Sequence, residues 1–253
     1  MQDLKSSGEF SLERLQVISS IEQDHFWFLG RRKLVLSLMR KLIKHQQTTL
    51  LDVGCGTGYN LKHWKAFSKD VFGLDRLSGD IGPEIMAGIS PNMVKSDVCA
   101  LPVKSDSTDV VVALDVLEHV QDGKMLAEVN RCLVDEGLLF ITVPAMQWLW
   151  SDRDESAGHL RRYNKQTLRP VIEKAGFEIL YMSYYQCLLF PLVALARIMG
   201  RTGKSTTKTE ENPGKKANAL LGLVTQFEVS VSALGFRFPW GSSLVAVMRK
   251  TPV

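Results

Sequence analysis

The stretch Leu50–Asn60, LLDVGCGTGYN, decides the reading of this chain. A short apolar run ends at Asp52 and Val53, and glycines follow at 54, 56 and 58. In an open α/β sheet, ligands bind beyond the carboxyl ends of the strands, and the first strand-to-helix turn approaches them most closely. Glycine has no β-carbon to obstruct that approach, so a nucleotide-type ligand is expected over this turn. The spacing narrows its chemistry. A dinucleotide fingerprint requires G-x-G-x-x-G, but Tyr59 stands where the last glycine would be, and the lysine of G-x-x-x-x-G-K is missing. A pyrophosphate is therefore disfavoured.

Downstream, β-rich runs alternate with helical ones: DVFGLD, MVKSDV, TDVVVALDV, GKMLAEVNRCLV and LLFITVP. Such alternation requires crossover connections. It predicts an α/β fold with a mainly parallel sheet, doubly wound with helices on both faces. Upstream, Ser11 reads as the N-cap of LERLQVISSIEQ, and Leu34, Leu38 and Leu42 share one helical face. Beyond Gln186 the regularity fails. CLLFPLVALARIMG is interrupted by Pro191 and Arg197, and NALLGLVTQFEVSVSALGF carries Gln226 and Glu228 inside an apolar stretch. Neither reads as a membrane span, and the polar RTGKSTTKTEENPGKK between them is expected to be mobile. The expected organisation is a helical cap over 1–46, a core over 47–186, a helical insertion over 187–241 with a loop at about 201–216, and a last strand over 242–253.

A length of 253 residues suits one α/β domain with appendages, and a net charge of +4 is too small to indicate nucleic acid without a concentrated patch. Cys55, Cys99, Cys132 and Cys187 are far apart in sequence, which indicates neither a zinc cluster nor a disulfide frame. A reducing, cytoplasmic setting is expected. The polar start, MQDLKSSGEFSLERL, is unlike a secretory signal.

Four segments together resemble the class I S-adenosylmethionine-dependent methyltransferases: LLDVGCGTGYN, FGLD ending at Asp75, KSDVCALPVKSDSTDVVVALDVLEHV and RCLVDEGLLFITVP. The resemblance implies a Rossmann-like, seven-stranded sheet whose last strand runs antiparallel. It also implies S-adenosylmethionine as the cofactor, with S-adenosylhomocysteine as product. Asp52 with Gly54, Cys55, Gly56 and Gly58 would surround the methionine and ribose. Asp75, with Arg76 beside it, would accept both ribose hydroxyls, and Asp97 with Val98 would take the adenine. Leu114 and Asp115 would face the sulfonium, and His119 would lie near the adenine or the sulfonium, or else cap the next helix. The segment EQDHFWFLGRR is similar to the start of a bacterial subgroup of these enzymes. There Phe26, Trp27 and Tyr59 would wall the sulfonium and Arg31 would pair with the methionine carboxylate. Glu118 is open to a further reading, as partner of a Lys or Arg.

The acceptor side is expected in WLWSDRDESAGHLRRY, framed by Trp148 and Trp150. His159 would act as base or orienting group, with Asp152 and Tyr163 adding polar groups. Arg161 and Arg162 suggest an anionic acceptor, although a solvated helix start explains them equally. The acids of SDRDE cluster on one loop without a matching set elsewhere, so no metal is expected. Asn164 fits an N-cap, and Pro170 should kink or delay the helix after it. The insertion leaves three roles open: a lid, a homodimer interface, or a peripheral contact with an anionic membrane through Lys204, Lys208, Lys215 and Lys216. A small-molecule or lipid-like acceptor follows, with the chain cytoplasmic or peripheral at the inner face of the membrane. The rivals are a non-catalytic cofactor-binding scaffold and an oxidoreductase.

Overall fold

A computed structural model describes residues 11–78, 92–200 and 213–252. Helix α1, Leu12–Ile21, begins where the Ser11 hydroxyl accepts from the Arg14 N–H at 3.2 Å. Helix α2, Phe26–Leu42, is capped by His25, whose Nδ1 accepts from the Trp27 N–H. It buries Leu34, Val35, Leu38 and Met39 on one stripe, each leucine contributing about 1.5–3 kcal/mol on leaving water.

Strands β1 (Gln47–Val53), β2 (Ser68–Asp75), β3 (Met93–Lys95), β4 (Thr108–Leu114), β5 (Leu133–Pro144), β6 (Phe177–Tyr185) and β7 (Ser243–Lys250) form one sheet. Its spatial order is β3, β2, β1, β4, β5, β7, β6. Strand β7 runs antiparallel to both β5 and β6, and the remaining pairs are parallel. The order reverses direction between β1 and β4, which opens a crevice at their carboxyl ends. The remaining α-helices among the described residues are α3 (Leu61–Trp64), α4 (Asp122–Cys132), α5 (Asp152–Ser156), α6 (Lys165–Lys174), α7 (Phe190–Gly200) and α8 (Lys215–Ala233).

Successive strand residues point to opposite faces, so neighbours in the chain enter different cores. Leu51, Val111 and Ile141 pack with Met125 and Leu126 of α4 and with Leu168 and Ile172 of α6. Leu50, Val110 and Phe140 pack on the other face with Leu34 and Leu38 of α2 and Trp64 of α3.

Helix α6 starts at Lys165 behind an Asn164 cap that accepts from the Thr167 N–H at 2.8 Å. Pro170 neither delays nor ends it. The proline is exposed, so the Gln166 carbonyl it leaves without a helical donor can bond to water.

Between β6 and β7, α8 lies along α2. The two backbones approach so closely at Gly30 that a β-carbon there would stand 2.1 Å from Thr225 Cγ2. Lys33 donates to Gln226 at 2.9 Å, and buried Glu228 accepts the Cys187 and Leu188 N–H groups at 2.8 and 2.9 Å. Of the polar interruptions of this apolar segment, Gln226 thus ties the insertion to the cap, and Glu228 ties α8 to the start of the insertion. Lys215 and Lys216 open α8 rather than belonging to a loop, while 201–212, with Lys204 and Lys208, lies outside the described residues. No described helix is long and apolar enough to cross a membrane.

Candidate active site

A cavity of about 620 Å³ lies beyond the carboxyl ends of β1, β2 and β4, within the range of roughly 300–1,000 Å³ usual for ligand sites. The glycine turn forms one border. Gly54 has φ +71°, and a β-carbon on it would lie 2.4 Å from Val116 Cγ2. Its N–H donates to the Leu74 carbonyl at 2.7 Å, tying the turn to the tip of β2. Cys55 and Gly56 line the cavity, whereas Gly58 does not; its N–H closes the turn on the Cys55 carbonyl at 3.0 Å.

At the tip of β2, Asp75 Oδ2 accepts from the Gly56 N–H at 2.9 Å and Oδ1 from the Leu77 N–H at 2.8 Å. Burial nevertheless raises its pKa. Asp52 is more enclosed: burial pushes it up to about 7, against the 2.7 Å hydrogen bond from Trp64 Nε1. Arg76, Asp97 and Val98 line the same cavity, with Asp97 Oδ1 accepting from the Cys99 N–H at 2.8 Å.

Leu114, the last residue of β4, and Asp115 just past it also line the cavity. Asp115 has φ +57°, a conformation that costs a non-glycine residue about 1–3 kcal/mol and concentrates at functional sites. Thr142 Oγ1 donates to Asp115 Oδ1 at 3.1 Å, while Oδ2 pairs with Arg31. The Arg31 guanidinium sits 4.7 Å from the Trp27 ring centroid, and its Nε has no hydrogen-bond partner among the described residues. Trp27 and Phe26 face the cavity, but Tyr59 does not; Arg32 and Lys62 cover its ring at 4.8 and 3.7 Å.

The acceptor segment differs more from expectation. Asp152 is exposed and off the cavity, because it begins α5 on the solvent side. The acid that turns inward is Asp154, fully buried. It accepts from His159 Nδ1 at 2.8 Å and from Arg162 Nε and Nη2 at 2.7 and 3.0 Å. Although burial alone would raise its pKa, these partners hold it well below the usual carboxylate range. Arg162 is thereby committed, and Arg161 pairs with Asp122 at 3.1 Å, so neither guanidinium is left for an anionic acceptor. Tyr163 is buried off the cavity and donates to Asp122 Oδ2 at 3.0 Å. Trp148 and Trp150 do not line the cavity either.

His159 does face it, together with His119 and Glu118. The two imidazoles meet edge to face with centroids 4.8 Å apart. Burial, and then the neighbouring His159, bring His119 down to about 4, so it is neutral at physiological pH. Glu118 has 0% exposure, and neither carboxyl oxygen has a hydrogen-bond partner among the described residues. No Lys or Arg among the described residues forms an ion pair with it; burial, followed by the charge of Asp115, pushes its pKa well up. Its only sequence signal was its place just past the end of β4. A further contact that the sequence did not suggest joins Thr57 Oγ1 to Glu22 at 2.6 Å on the cavity wall.

The model of a methyltransferase domain matches residues 25–182. The chain belongs to that family. This methyltransferase domain is 25% identical over 167 residues to a Mycolicibacterium smegmatis protein named "probable S-adenosylmethionine-dependent methyltransferase", covering 65% of this chain and 64% of that one. A Mycobacterium tuberculosis protein of the same name is 26% identical over 175 residues, or 68% and 63% of the two chains. The match thus spans a little under two thirds of those relatives' length. Among solved structures, Haemonchus contortus phosphoethanolamine N-methyltransferase 2 with S-adenosyl-L-methionine superposes with TM-score 0.58 at 16% identity, covering 95% of this chain and 59% of that one. A Mesorhizobium loti S-adenosylmethionine-dependent methyltransferase superposes with TM-score 0.55 at 14% identity, covering 85% and 96%. These likenesses bear out the seven-stranded Rossmann-like fold of the family. The cavity also suits the family's cofactor: buried acids and the Trp27 face favour a cation, and unpartnered Arg31 Nε suits a carboxylate.

Proposed function

We propose that this chain transfers a methyl group from S-adenosylmethionine to an oxygen-bearing small-molecule or lipid-like acceptor. The observation that carries the reading is a single cavity bordered both by the glycine turn with Asp75 and by the Glu118, His119 and His159 cluster. The cofactor supplies an electrophilic methyl on a positively charged sulfur. Asp75 accepts the ribose hydroxyls, Asp97 the adenine amino group beside the Val98 backbone, and Asp52 and Asp115 offset the positive charges. Arg31 exchanges Asp115 for the methionine carboxylate. Transfer is an in-line displacement, so alignment in a dry cavity can contribute about 7–11 kcal/mol. His159, its Nδ1 held by Asp154, orients the acceptor from the cavity wall.

Two observations support the acceptor class. Leu192 of α7 lies on the cavity rim and is exposed, as are nearby Leu195 and, on α8, Leu220, Leu223 and Phe227. With Lys215 and Lys216 at the start of α8, this surface suits an anionic bilayer presenting a lipid-like acceptor. A Yersinia pestis relative, 25% identical over 103 residues (40% of this chain, 39% of that one), is named malonyl-[acyl-carrier protein] O-methyltransferase, which supports oxygen as the accepting atom.

Labelled S-adenosylmethionine incubated with separate soluble and lipid extracts tests the activity. Label in either extract, reduced in His159→Ala without loss of cofactor affinity, is expected. Cofactor binding with no S-adenosylhomocysteine formed in any extract would leave a scaffold instead. Flotation with and without phosphatidylglycerol tests the membrane contact, which fails if the protein stays in the dense fraction in both.

A further inference from the structure

The cavity contains a donor set that cofactor binding does not use. The ligand atoms of Glu118, His119 and His159 all lie within 4.8 Å of one another, and His159 Nε2 stands 3.9 Å from Glu118 Oε1. That distance is too long for a hydrogen bond. Around one divalent cation with bonds of about 2.0–2.2 Å, neighbouring donors stand about 3–3.5 Å apart, so small side-chain rotations close the set.

The histidine tautomers suit this use. His159 Nδ1 is 2.8 Å from the Asp154 carboxylate and His119 Nδ1 is 3.3 Å from the Gly158 carbonyl. Both acceptors require a proton on Nδ1, and in the neutral ring that tautomer carries its lone pair on Nε2. A carboxylate or carbonyl behind a histidine is the arrangement that orients metal-binding imidazoles and raises their basicity. Asp154 is itself fixed by Arg162 and by the Ser151 N–H at 3.0 Å, so this outer layer is built before any cation arrives. Glu118 supplies the independent sign of a missing ligand: it is fully buried, lines the cavity, and neither oxygen has a hydrogen-bond partner among the described residues. A buried carboxyl left in that state is costly unless something binds it.

We infer that Glu118, His119 and His159 form a site for one divalent transition-metal cation, with open positions facing the cavity. Two imidazoles and one carboxylate favour zinc, cobalt or iron(II) over magnesium or calcium. Three protein ligands leave coordination positions for an oxygen of a second ligand. Resting on the methyl-transfer reading, that oxygen is an anionic or ionisable group of the acceptor. The cation thereby supplies the positive anchor that Arg161 and Arg162, already paired, do not.

The test uses the full chain, stripped with chelator, desalted and titrated with Co²⁺ alone. One equivalent is expected to bind with a visible d–d absorption. Two paramagnetically shifted, solvent-exchangeable proton resonances are also expected, one for each Nδ1–H. Glu118→Gln and His159→Asn should each weaken Co²⁺ binding by about tenfold or more. No saturable Co²⁺ binding below about 1 mM, or no shifted imidazole protons, overturns the site. Unchanged affinity in both variants does so too. Should a variant fail to fold, the wild-type proton spectrum decides alone. Calorimetry with S-adenosylhomocysteine on the same sample separates the two readings. Normal nucleoside binding without Co²⁺ binding removes the metal and keeps the methyltransferase, whereas Co²⁺ binding without nucleoside binding does the reverse.

Discussion

Replacing Asp52 by Asn sets fold stability against ligand binding, because the carboxylate is buried at the end of β1. Its pKa rises from an ordinary 3.8 to about 7, chiefly through burial. For an acid raised in this way, the folded state holds the proton that the unfolded chain has lost. The stabilising contribution is therefore complete below about pH 4 and disappears as pH climbs through about 7. At about 1.4 kcal/mol per pH unit, the full interval amounts to about 4 kcal/mol, of which about 3 kcal/mol falls between pH 5 and pH 8. Asparagine has nearly the same shape, can still accept from Trp64 Nε1, and carries no charge at either pH. Urea unfolding at both pH values should give Asp52→Asn an advantage over the wild type that grows by about 3 kcal/mol from the lower to the higher. Calorimetry should show the reverse for function. S-adenosylmethionine should bind the variant about 10- to 100-fold more weakly, from loss of a charge-assisted contact of about 1.5–3 kcal/mol. Its binding to the wild type near pH 6.5 should release a proton as Asp52 ionises against the sulfonium. Parallel pH profiles for the two proteins would refute the buried-acid reasoning.

Asp75→Asn keeps one oxygen for the Gly56 N–H but loses the charge; cofactor affinity measured by calorimetry should fall by about 10- to 100-fold. Arg162→Ala leaves Asp154 buried beside His159 without its guanidinium, so unfolding free energy should drop by about 3–5 kcal/mol in a denaturant titration. Tyr163→Phe removes the hydrogen bond to Asp122 and should cost about 1 kcal/mol of stability while turnover stays unchanged. A large loss of turnover in that variant would restore a chemical role to this hydroxyl.

Strand tips and turns were legible because their signals are local. Val53 followed by alternating glycines marks a turn that must cross φ +71° at Gly54, and Asp75 closes the adjacent apolar run. Both residues stand on the cavity for the same reason. Charged segments were much less legible. In SDRDES, Asp152 and Asp154 have equal chemistry and are two residues apart, yet one faces water and the other is fully buried. Only the return of Arg162 and His159 beneath α5 distinguishes them. Glu118 was obscure in the same way, since nothing in LEH tells whether a base stands opposite that carboxylate.

From residue order alone come the alternation that requires a doubly wound sheet and the acids at strand ends. Backbone conformation and apolar periodicity follow from neighbours within a few positions. Which carboxylate is buried, which guanidinium is already paired, and which imidazole nitrogen keeps its lone pair were settled by tertiary structure. Coulomb and desolvation energies depend on distance in space: His159 meets Glu118 from far along the chain, and Asp154 is distinguished from Asp152 by which way the chain turns, not by its spacing from Arg162.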